Sequence, residues 1–309
     1  MRILLHRRDG ITEPWIRSFA ELLPQAQVVV WREGEAFAPC DYAVLFAPPA
    51  AMIADLQHVK AIFLTGAGAD EIMKVTQQLP PVPIVRLADA GMAEQMVDYV
   101  VHAVLRYFRR FDEFEAQARN RVWQQLPLHK KSEFTVGVLG PGVLGKPVLS
   151  MLKALGFPLR SWSRTPKSIE GVQCFSGAGG LDDFLRGTRV VVSMLPLTAD
   201  TSGLLNHARL SLLAPGAYVI NVARGGHIVE SDLLAMITSG HIAGATLDVF
   251  STEPLPQSHP FWDEPRITIT PHVAALTLVA PSVEQIAAKI GALTRGEAIG
   301  DLVDVQRGY

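Results

Sequence analysis

The sequence predicts an α/β protein of two domains, each built on a doubly wound parallel sheet. The chain has 309 residues, which is more than one compact core usually organises. Short apolar runs alternate with amphipathic stretches in both halves, as strands do with the helices that cover a parallel sheet. In the second half a glycine-rich turn joins one such run to a helical stretch, and nucleotides bind at turns of this kind.

The first half is expected to form a flavodoxin-like domain. Apolar runs that are bounded by turn residues predict strands over residues 3–5, 28–31, 42–46, 62–64 and 84–85. Helical spacing of apolar residues between these runs predicts helices over residues 13–23, 52–56 and 69–79.

A long helix is expected next, because residues 93–118 contain neither Gly nor Pro and carry apolar side chains along one face. The following α/β segment predicts strands over residues 135–139, 159–162, 190–194, 218–221, 245–249 and 267–270. A final helix is expected over residues 283–293, and residues 302–305 form an extended tail.

Composition excludes several classes of partner. The formal net charge is -2, so neither nucleic acid nor an anionic membrane is expected as a partner. Cys40 and Cys174 stand apart from other metal-ligating residues, so we expect neither disulfides nor a metal site. No uncharged apolar stretch is long enough to span a membrane, and the N-terminus turns polar too early for a signal sequence. The expected compartment is the cytoplasm.

The glycine-rich turn has the spacing G-x-G-x-x-G, formed by Gly140, Gly142 and Gly145. It follows a predicted strand and precedes a helical stretch over residues 144–155, which is the context of a dinucleotide-binding loop. Gly140 would allow the tight turn, Gly142 the approach of the pyrophosphate, and Gly145 the packing of helix on strand. The structural alternative is an ordinary glycine turn. We favour a Rossmann coenzyme domain.

The end of the next strand bears on the choice of cofactor. An NAD enzyme would place an acidic residue there for the ribose hydroxyl, but this strand ends in Ser163, Arg164 and Thr165. Arg164, followed by Lys167, suits the 2'-phosphate of NADP. NADPH is therefore the preferred cofactor, with NAD as a weaker one. Alternatively, Arg164 is a solvated surface charge.

Three later segments stand where loops should follow strands: residues 221–226, 247–255 and 270–274. With residues 195–198 and Thr201, they make the chain resemble the D-2-hydroxyacid dehydrogenase family over nearly its whole length. Within that family the resemblance is strongest to bacterial glyoxylate and hydroxypyruvate reductases of the A type. It implies NADPH-dependent reduction of a small 2-keto acid: glyoxylate to glycolate, or hydroxypyruvate to glycerate.

The resemblance also implies the catalytic roles. Arg224 would bind the substrate carboxylate and polarise its carbonyl group, His272 would donate the proton, and Glu253 would orient the imidazole. Each residue has a structural alternative: a surface ion pair for Arg224, a loop acid beside Pro254 for Glu253, and a structural histidine for His272. The joint occurrence of all three at loops that follow strands favours catalysis.

The resemblance assigns further contacts. Asp248 would lie near the nicotinamide carboxamide, although it could instead cap a turn. The remaining expected cofactor contacts are Val143, Leu144, Leu195, Pro196, Thr201, Val222, Ala223 and Ala274. Gly66, Ala67 and Gly68 would hold the substrate carboxylate, or else form a plain strand-to-helix turn. Trp31 and Arg32 are further candidates for the substrate side.

The resemblance sets the expected organisation as well. Residues 1–102 and 277–309 would form the substrate domain and residues 103–276 the coenzyme domain, with the active site in a cleft that closes around substrate. A homodimer is expected. Two alternatives remain open: a dinucleotide-sensing binding protein that regulates a partner, and a phosphoglycerate dehydrogenase, which is less favoured because the appended regulatory domain is missing.

Overall fold

The computed structural model describes residues 1–309 as two compact units. The first comprises Met1–Met92 with Thr277–Tyr309, and the second comprises Ala93–Leu276. The division expected from the sequence had a boundary at residue 102, which lies inside a helix. In the structure that helix belongs to the second unit from Ala93 onward, because Val100, Ala103 and Val104 pack into the core of that unit.

The first unit contains a five-stranded parallel sheet in the order β2-β1-β3-β4-β5. Its strands are β1 (Arg2–Arg7), β2 (Gln27–Val30), β3 (Tyr42–Phe46), β4 (Ala61–Leu64) and β5 (Ile84–Val85). Its α-helices are α1 (Glu13–Leu22), α2 (Asp70–Met73) and α9 (Val279–Thr294). The strand order is that of flavodoxin, so the predicted flavodoxin-like domain is confirmed.

The second unit contains a seven-stranded parallel sheet in the order β12-β11-β10-β9-β6-β7-β8. Its strands are β6 (Val136–Leu139), β7 (Leu159–Ser163), β8 (Gln173–Ser176), β9 (Val190–Ser193), β10 (Ala217–Asn221), β11 (Ile242–Leu247) and β12 (Ile267–Ile269). Its helices are α3 (Met92–Phe108), α4 (Phe111–Arg119), α5 (Gly145–Ala154), α6 (Gly177–Leu185), α7 (His207–Leu210) and α8 (Glu230–Thr238). The order reverses between β6 and β9, as in the Rossmann fold, and the predicted coenzyme fold is confirmed.

Burial explains why these segments form central strands. Every residue of β6, β9 and β10 is buried, as expected for parallel strands that helices cover on both faces. Strand β11 begins at Ile242, earlier than the sequence indicated, and it includes Gly244. A Cβ atom at Gly244 would lie 2.4 Å from the carbonyl oxygen of Arg266, so the glycine allows close approach of the neighbouring chain.

The prediction of one continuous helix over residues 93–118 is wrong. It divides into α3 and α4 at Arg110, whose φ of 60° lies in the left-handed region. The Arg110 guanidinium binds the Glu113 carboxylate and the carbonyl oxygen of Pro127, and these contacts stabilise a backbone conformation that no local sequence pattern predicts.

Other local expectations also required correction. Residues 69–79 form the short helix α2 and a 3₁₀ turn at Thr76–Gln78, not one helix. Residues 52–56 lie in a 3₁₀ helix, Ala50–Leu56. Strand β8 was not predicted, because it is a partly exposed edge strand without a continuous apolar run. None of the helices is both long and apolar enough to cross a membrane.

Candidate active site

The residues predicted to bind coenzyme and substrate in the second unit lie at one edge of its sheet. The glycine loop follows β6. Ser163 is the last residue of β7, and Arg164 follows it. Beyond the reversal in strand order, Leu195 follows β9, Val222 follows β10, Asp248 follows β11 and Thr270 follows β12. Because all these strands are parallel, their carboxyl ends share this edge, which is where α/β sheets bind ligands.

The glycine loop fits a dinucleotide pyrophosphate. A Cβ atom at Gly140 would lie 2.7 Å from the carbonyl oxygen of Met194, and one at Gly145 would lie 2.3 Å from that of Gly140, so both positions require glycine. Gly142 instead faces open space, where a Cβ atom would occupy room for a ligand. The backbone N–H groups of Val143 and Leu144 donate to no carbonyl group of the chain and are available to a phosphate.

Two cationic residues, Arg164 and Lys167, lie close to this loop in the sequence. Arg164 is exposed directly after β7, and Ser163 Oγ shapes its turn by donating to the carbonyl oxygen of Thr165 at 2.8 Å. Lys167 Nζ donates to the carbonyl oxygen of Pro141 at 2.9 Å and so ties the turn to the glycine loop. Burial, with the nearby charge of Lys146, lowers the pKa of Lys167. Two cationic side chains beside the glycine loop suit a phosphate group.

The loop after β9 is held by Thr201. Its hydroxyl donates to the carbonyl oxygen of Pro196 at 2.7 Å and accepts from the backbone N–H of Thr198 at 2.8 Å. Leu195 is buried, while Pro196 is exposed. Thr201 therefore shapes the loop, and a cofactor would meet the exposed Pro196.

The loop that carries Arg224 is shaped by buried Asn221. The Asn221 side chain accepts from the backbone N–H of Ala223 at 3.2 Å and donates to the carbonyl oxygen of Arg224 at 2.9 Å. A Cβ atom at Gly225 would lie 1.8 Å from the carbonyl carbon of Phe250, so this loop touches the backbone of the loop after β11. The contact places the Arg224 loop directly beside the loop that leads to Glu253.

Glu253 and His272 form a hydrogen-bonded pair. Glu253 Oε2 lies 2.7 Å from His272 Nδ1, and Glu253 Oε1 accepts from the backbone N–H of Phe250 at 3.0 Å. The Glu253 carboxylate therefore orients the imidazole while its own position is set by the Phe250 backbone. The Nε2 atom of His272 is left for another partner, and the side chain is 46% exposed.

Asp248 holds the turn that contains His272. Its Oδ1 atom accepts from Thr270 Oγ1 at 2.6 Å and from the backbone N–H of Val273 at 2.8 Å, and its Oδ2 atom accepts from that of Ala274 at 2.8 Å. These bonds support a φ of 56° at His272, a conformation that costs a non-glycine residue about 1 kcal/mol. Asp248 therefore caps this turn, which is one of the two roles that the sequence suggests for it. Oδ2 keeps acceptor capacity for a further donor.

A hydroxyl chain extends this network to helix α3. Tyr99 Oη lies 2.5 Å from Thr270 Oγ1. Since Thr270 donates its proton to Asp248, Tyr99 is the donor to Thr270. Burial, reinforced by the charge of Asp248, raises the pKa of Tyr99 to about 12, so its hydroxyl remains a donor at ordinary pH.

In the first unit, Gly66, Ala67 and Gly68 follow β4. Their backbone N–H groups donate to no carbonyl group of the chain, as an anion-binding loop requires. Trp31 is buried, and its indole N–H donates to Asp55 Oδ2 at 2.7 Å, so its polar atom is occupied. Arg32 is exposed and pairs with Glu35.

A surface groove of about 920 Å³ on the second unit is separate from these residues. It is lined by α8 and by His259, Pro260 and Phe261, and none of the predicted site residues lines it. No cluster of His, Cys, Asp or Glu in the chain could hold a metal ion.

Several positioning residues had no assigned role in the sequence prediction. Asn221 carried a detectable signal, because an Asn at the end of a buried strand commonly shapes a turn. Tyr99 carried none, since it is one residue among many in α3. Gly225 lies inside the segment 221–226 that the sequence singles out, but its contact with Phe250 depends on tertiary packing.

Residues 101–274 match the family model described as D-isomer specific 2-hydroxyacid dehydrogenase, NAD binding domain. The chain belongs to this family. The match covers the Rossmann sheet and the loops that carry Arg224, Glu253 and His272, so the family predicted from the sequence is confirmed.

Curated relatives and solved structures agree with this assignment. The chain is 48% identical to glyoxylate/hydroxypyruvate reductase A of Serratia proteamaculans and 46% identical to that of Yersinia enterocolitica, in each case over 100% of both chains. A D-isomer specific 2-hydroxyacid dehydrogenase from Xanthobacter autotrophicus, crystallised with NADPH and MES, has a TM-score of 0.95 and 38% identity, covering 100% of this chain and 99% of that one. An NADPH-dependent glyoxylate/hydroxypyruvate reductase from Sinorhizobium meliloti, crystallised with NADP and sulfate, has a TM-score of 0.93 and 33% identity at the same coverage.

Proposed function

We propose that this protein uses NADPH to reduce small 2-keto acids, converting glyoxylate to glycolate and hydroxypyruvate to glycerate. The observation that carries the proposal is the pair of His272 and Glu253 at the sheet edge, in the loops next to that of Arg224. An acid and a guanidinium on adjoining loops are what reduction of a keto acid requires. The relatives named above support the choice of substrates.

The cofactor site supports NADPH over NADH. Gly140, Gly142 and Gly145 would hold the pyrophosphate, and Arg164 with Lys167 would hold the 2'-phosphate. When bound, the reduced nicotinamide supplies the hydride. Val143, Leu144, Ser163, Thr165, Leu195, Pro196, Thr201, Val222, Ala223 and Ala274 are proposed as further contacts, and Asp248 Oδ2 as an acceptor for the carboxamide.

The chain's own side chains perform the remaining steps. Arg224 binds the substrate carboxylate and polarises the carbonyl group with its planar set of donors. His272 donates a proton from Nε2 to the carbonyl oxygen, which becomes the hydroxyl of the product. Glu253 keeps the imidazole oriented through Nδ1 during this transfer. We assign binding of the substrate carboxylate also to Gly66, Ala67 and Gly68.

The proposal is tested by NADPH oxidation with purified protein. We expect turnover of glyoxylate and hydroxypyruvate, and faster reaction with NADPH than with NADH. Pyruvate and 3-phosphohydroxypyruvate serve as comparison substrates, and a clear preference for the phosphorylated acid would favour a phosphoglycerate dehydrogenase. NADPH binding with no turnover of any keto acid would contradict the enzymatic proposal and favour a regulatory protein.

We also propose that the protein is a cytoplasmic homodimer. Trp123 is fully exposed and Leu128 is 74% exposed in the segment between α4 and β6, and apolar surface of this kind is commonly buried between subunits. Light scattering of the purified protein measures the subunit number.

A further inference from the structure

Arg7, the last residue of β1, has an unusual environment at the carboxyl edge of the first sheet. Its side chain is only 10% exposed. The guanidinium carbon lies 4.9 Å from the centroid of the Trp15 ring and 5.2 Å from that of the Phe46 ring. An arginine enclosed by two aromatic rings is held in place, and its removal would cost packing as well as charge.

The guanidinium joins two different segments. Its Nε and Nη2 atoms donate to the Asp9 carboxylate as a bidentate pair, and its Nη1 atom donates to Thr65 Oγ1 at 3.1 Å. Burial opposes the charged form of Asp9, but hydrogen bonds from Arg7 and from the backbone N–H of Ile11 lower its pKa overall. Arg7 thus stays paired with Asp9 while its Nη1 atom extends past β3 to Thr65 at the end of β4.

Thr65 is the residue from which the Gly66–Gly68 loop starts, and it is almost fully buried. Its backbone N–H donates to the carbonyl oxygen of Leu45 at 3.1 Å, and its carbonyl oxygen accepts from Thr277 Oγ1 at 2.9 Å. The next carbonyl group, that of Gly66, accepts from the backbone N–H of Leu87 at 3.2 Å. The start of the loop is therefore fixed, whereas its three following N–H groups are left for a ligand.

We propose that Arg7 is a positioning residue that holds Thr65, and through it the Gly66–Gly68 loop, in the conformation that binds the carboxylate of the keto acid. This inference rests on the proposed function. Lys could not replace Arg7, because one ammonium group cannot pair with Asp9 through two parallel bonds and reach Thr65 as well. The hydroxyl group of Thr65 is the acceptor for Arg7. Neither Arg7 nor Thr65 touches the reacting atoms.

The test separates substrate binding from chemistry. Loss of a hydrogen bond from a charged donor predicts that Arg7→Met raises KM for glyoxylate about five- to tenfold, while kcat stays within about twofold. The Kd for NADPH should be unchanged, because its site is in the second unit. Arg7→Lys should rescue KM only in part. Arg17→Met is the matched control, since Arg17 is an exposed residue of α1 with a long contact to Glu13.

A double-mutant cycle tests whether Arg7 acts through Thr65. Thr65→Val should raise KM by a similar factor, and the combined variant should be little worse than the more affected single variant, because both remove the same hydrogen bond between Arg7 and Thr65. Thr65→Ser keeps the hydroxyl and should retain most of the affinity. Fully multiplicative effects, or an unchanged KM in Arg7→Met, would overturn the inference.

Amide hydrogen exchange provides a readout that does not depend on turnover. We expect faster exchange at the hydrogen-bonded amides of Thr65 and Leu87 in Arg7→Met, and no change there in Arg17→Met. If the wild-type protein reduces no keto acid, the proposed function fails while exchange still tests the positioning role. Unchanged exchange at both amides contradicts that role. Should Arg7→Met not fold, Thr65→Val with the same two measurements decides the question.

Discussion

The imidazole of His272 depends on other residues for its position. Glu253 binds Nδ1, and Asp248 supports the left-handed backbone at His272 through bonds to the two residues that follow. One imidazole nitrogen is thus occupied and the other is available, which supports the proton donation that we propose for His272.

Replacement of His272 should therefore affect chemistry more than cofactor binding. We expect His272→Gln to lower kcat for glyoxylate about a hundredfold or more, the usual contribution of a general acid, with the Kd for NADPH within about twofold of wild type. Steady-state kinetics and fluorescence titration measure the two quantities. His58→Gln, at an exposed position, is the control, and near-wild-type turnover by His272→Gln would remove His272 from the mechanism.

Arg164 should determine the preference between the two nicotinamide cofactors. We expect Arg164→Ser to raise KM for NADPH about ten- to a hundredfold, the cost of losing charged hydrogen bonds to a phosphate, and to leave KM for NADH nearly unchanged. Arg186→Ser is a matched control, because Arg186 is exposed and makes only a 3.6 Å ion pair with Asp183. An equal change for both cofactors would indicate that Arg164 does not contact the 2'-phosphate.

At the scale of elements, strands were predicted better than helices. Strands β3, β4 and β5 of the first sheet and β6, β9 and β10 of the second coincide with largely buried apolar runs, and β2 coincides with a half-buried one. The break at Arg110 was missed because side-chain contacts stabilise it and neither Gly nor Pro marks it. The end of α2 at Met73 was missed because no Gly or Pro follows it before Pro80. The edge strand β8 was missed because half-exposed residues give no apolar pattern.

The contact between the Arg224 loop and the Phe250 loop gives a prediction at this scale. Gly225→Ala would place a methyl group 1.8 Å from a backbone carbon, so the two loops must separate. We expect a loss of about 1–3 kcal/mol in the free energy of unfolding, as overpacking usually costs, together with a fall in kcat. Denaturant unfolding and glyoxylate reduction measure these effects.

Gly179→Ala supplies the comparison for this variant. Gly179 lies in α6, and a Cβ atom there meets nothing within 4 Å, so its substitution should stabilise the protein by roughly 0.4–1 kcal/mol. Wild-type activity and stability in Gly225→Ala would show that the two loops can part without consequence for the site.

For the whole molecule, buried tyrosines predict how stability depends on pH. The pKa of Tyr99 is raised from 10.0 to about 12, mainly by burial, because the folded state disfavours the phenolate. The unfolded chain loses the Tyr99 proton at a lower pH than the folded protein does. The contribution of Tyr99 to the free energy of unfolding is therefore complete below pH 10 and is lost as pH rises towards 12. Burial also raises the pKa of Tyr107 and Tyr218, which adds to the same alkaline loss.

The Tyr99→Phe variant tests this expectation. Its free energy of unfolding at neutral pH should fall by about 1 kcal/mol, since the hydrogen bond to Thr270 is lost. Its further decline above pH 10 should be smaller than that of wild type. Parallel curves for Tyr99→Phe and wild type would mean that Tyr99 titrates normally.

The sequence by itself determined the fold class, the coenzyme loop, the family and the set of candidate residues. These follow from residue type and local spacing, because apolar runs select buried strands and glycines select turns without room for a side chain. Only the tertiary structure decided which residues hold that set in place. The bonds from Arg7 to Thr65 and from Tyr99 to Thr270, and the close approach of Gly225 to Phe250, join residues distant in the chain, and such contacts arise from packing rather than from any local pattern.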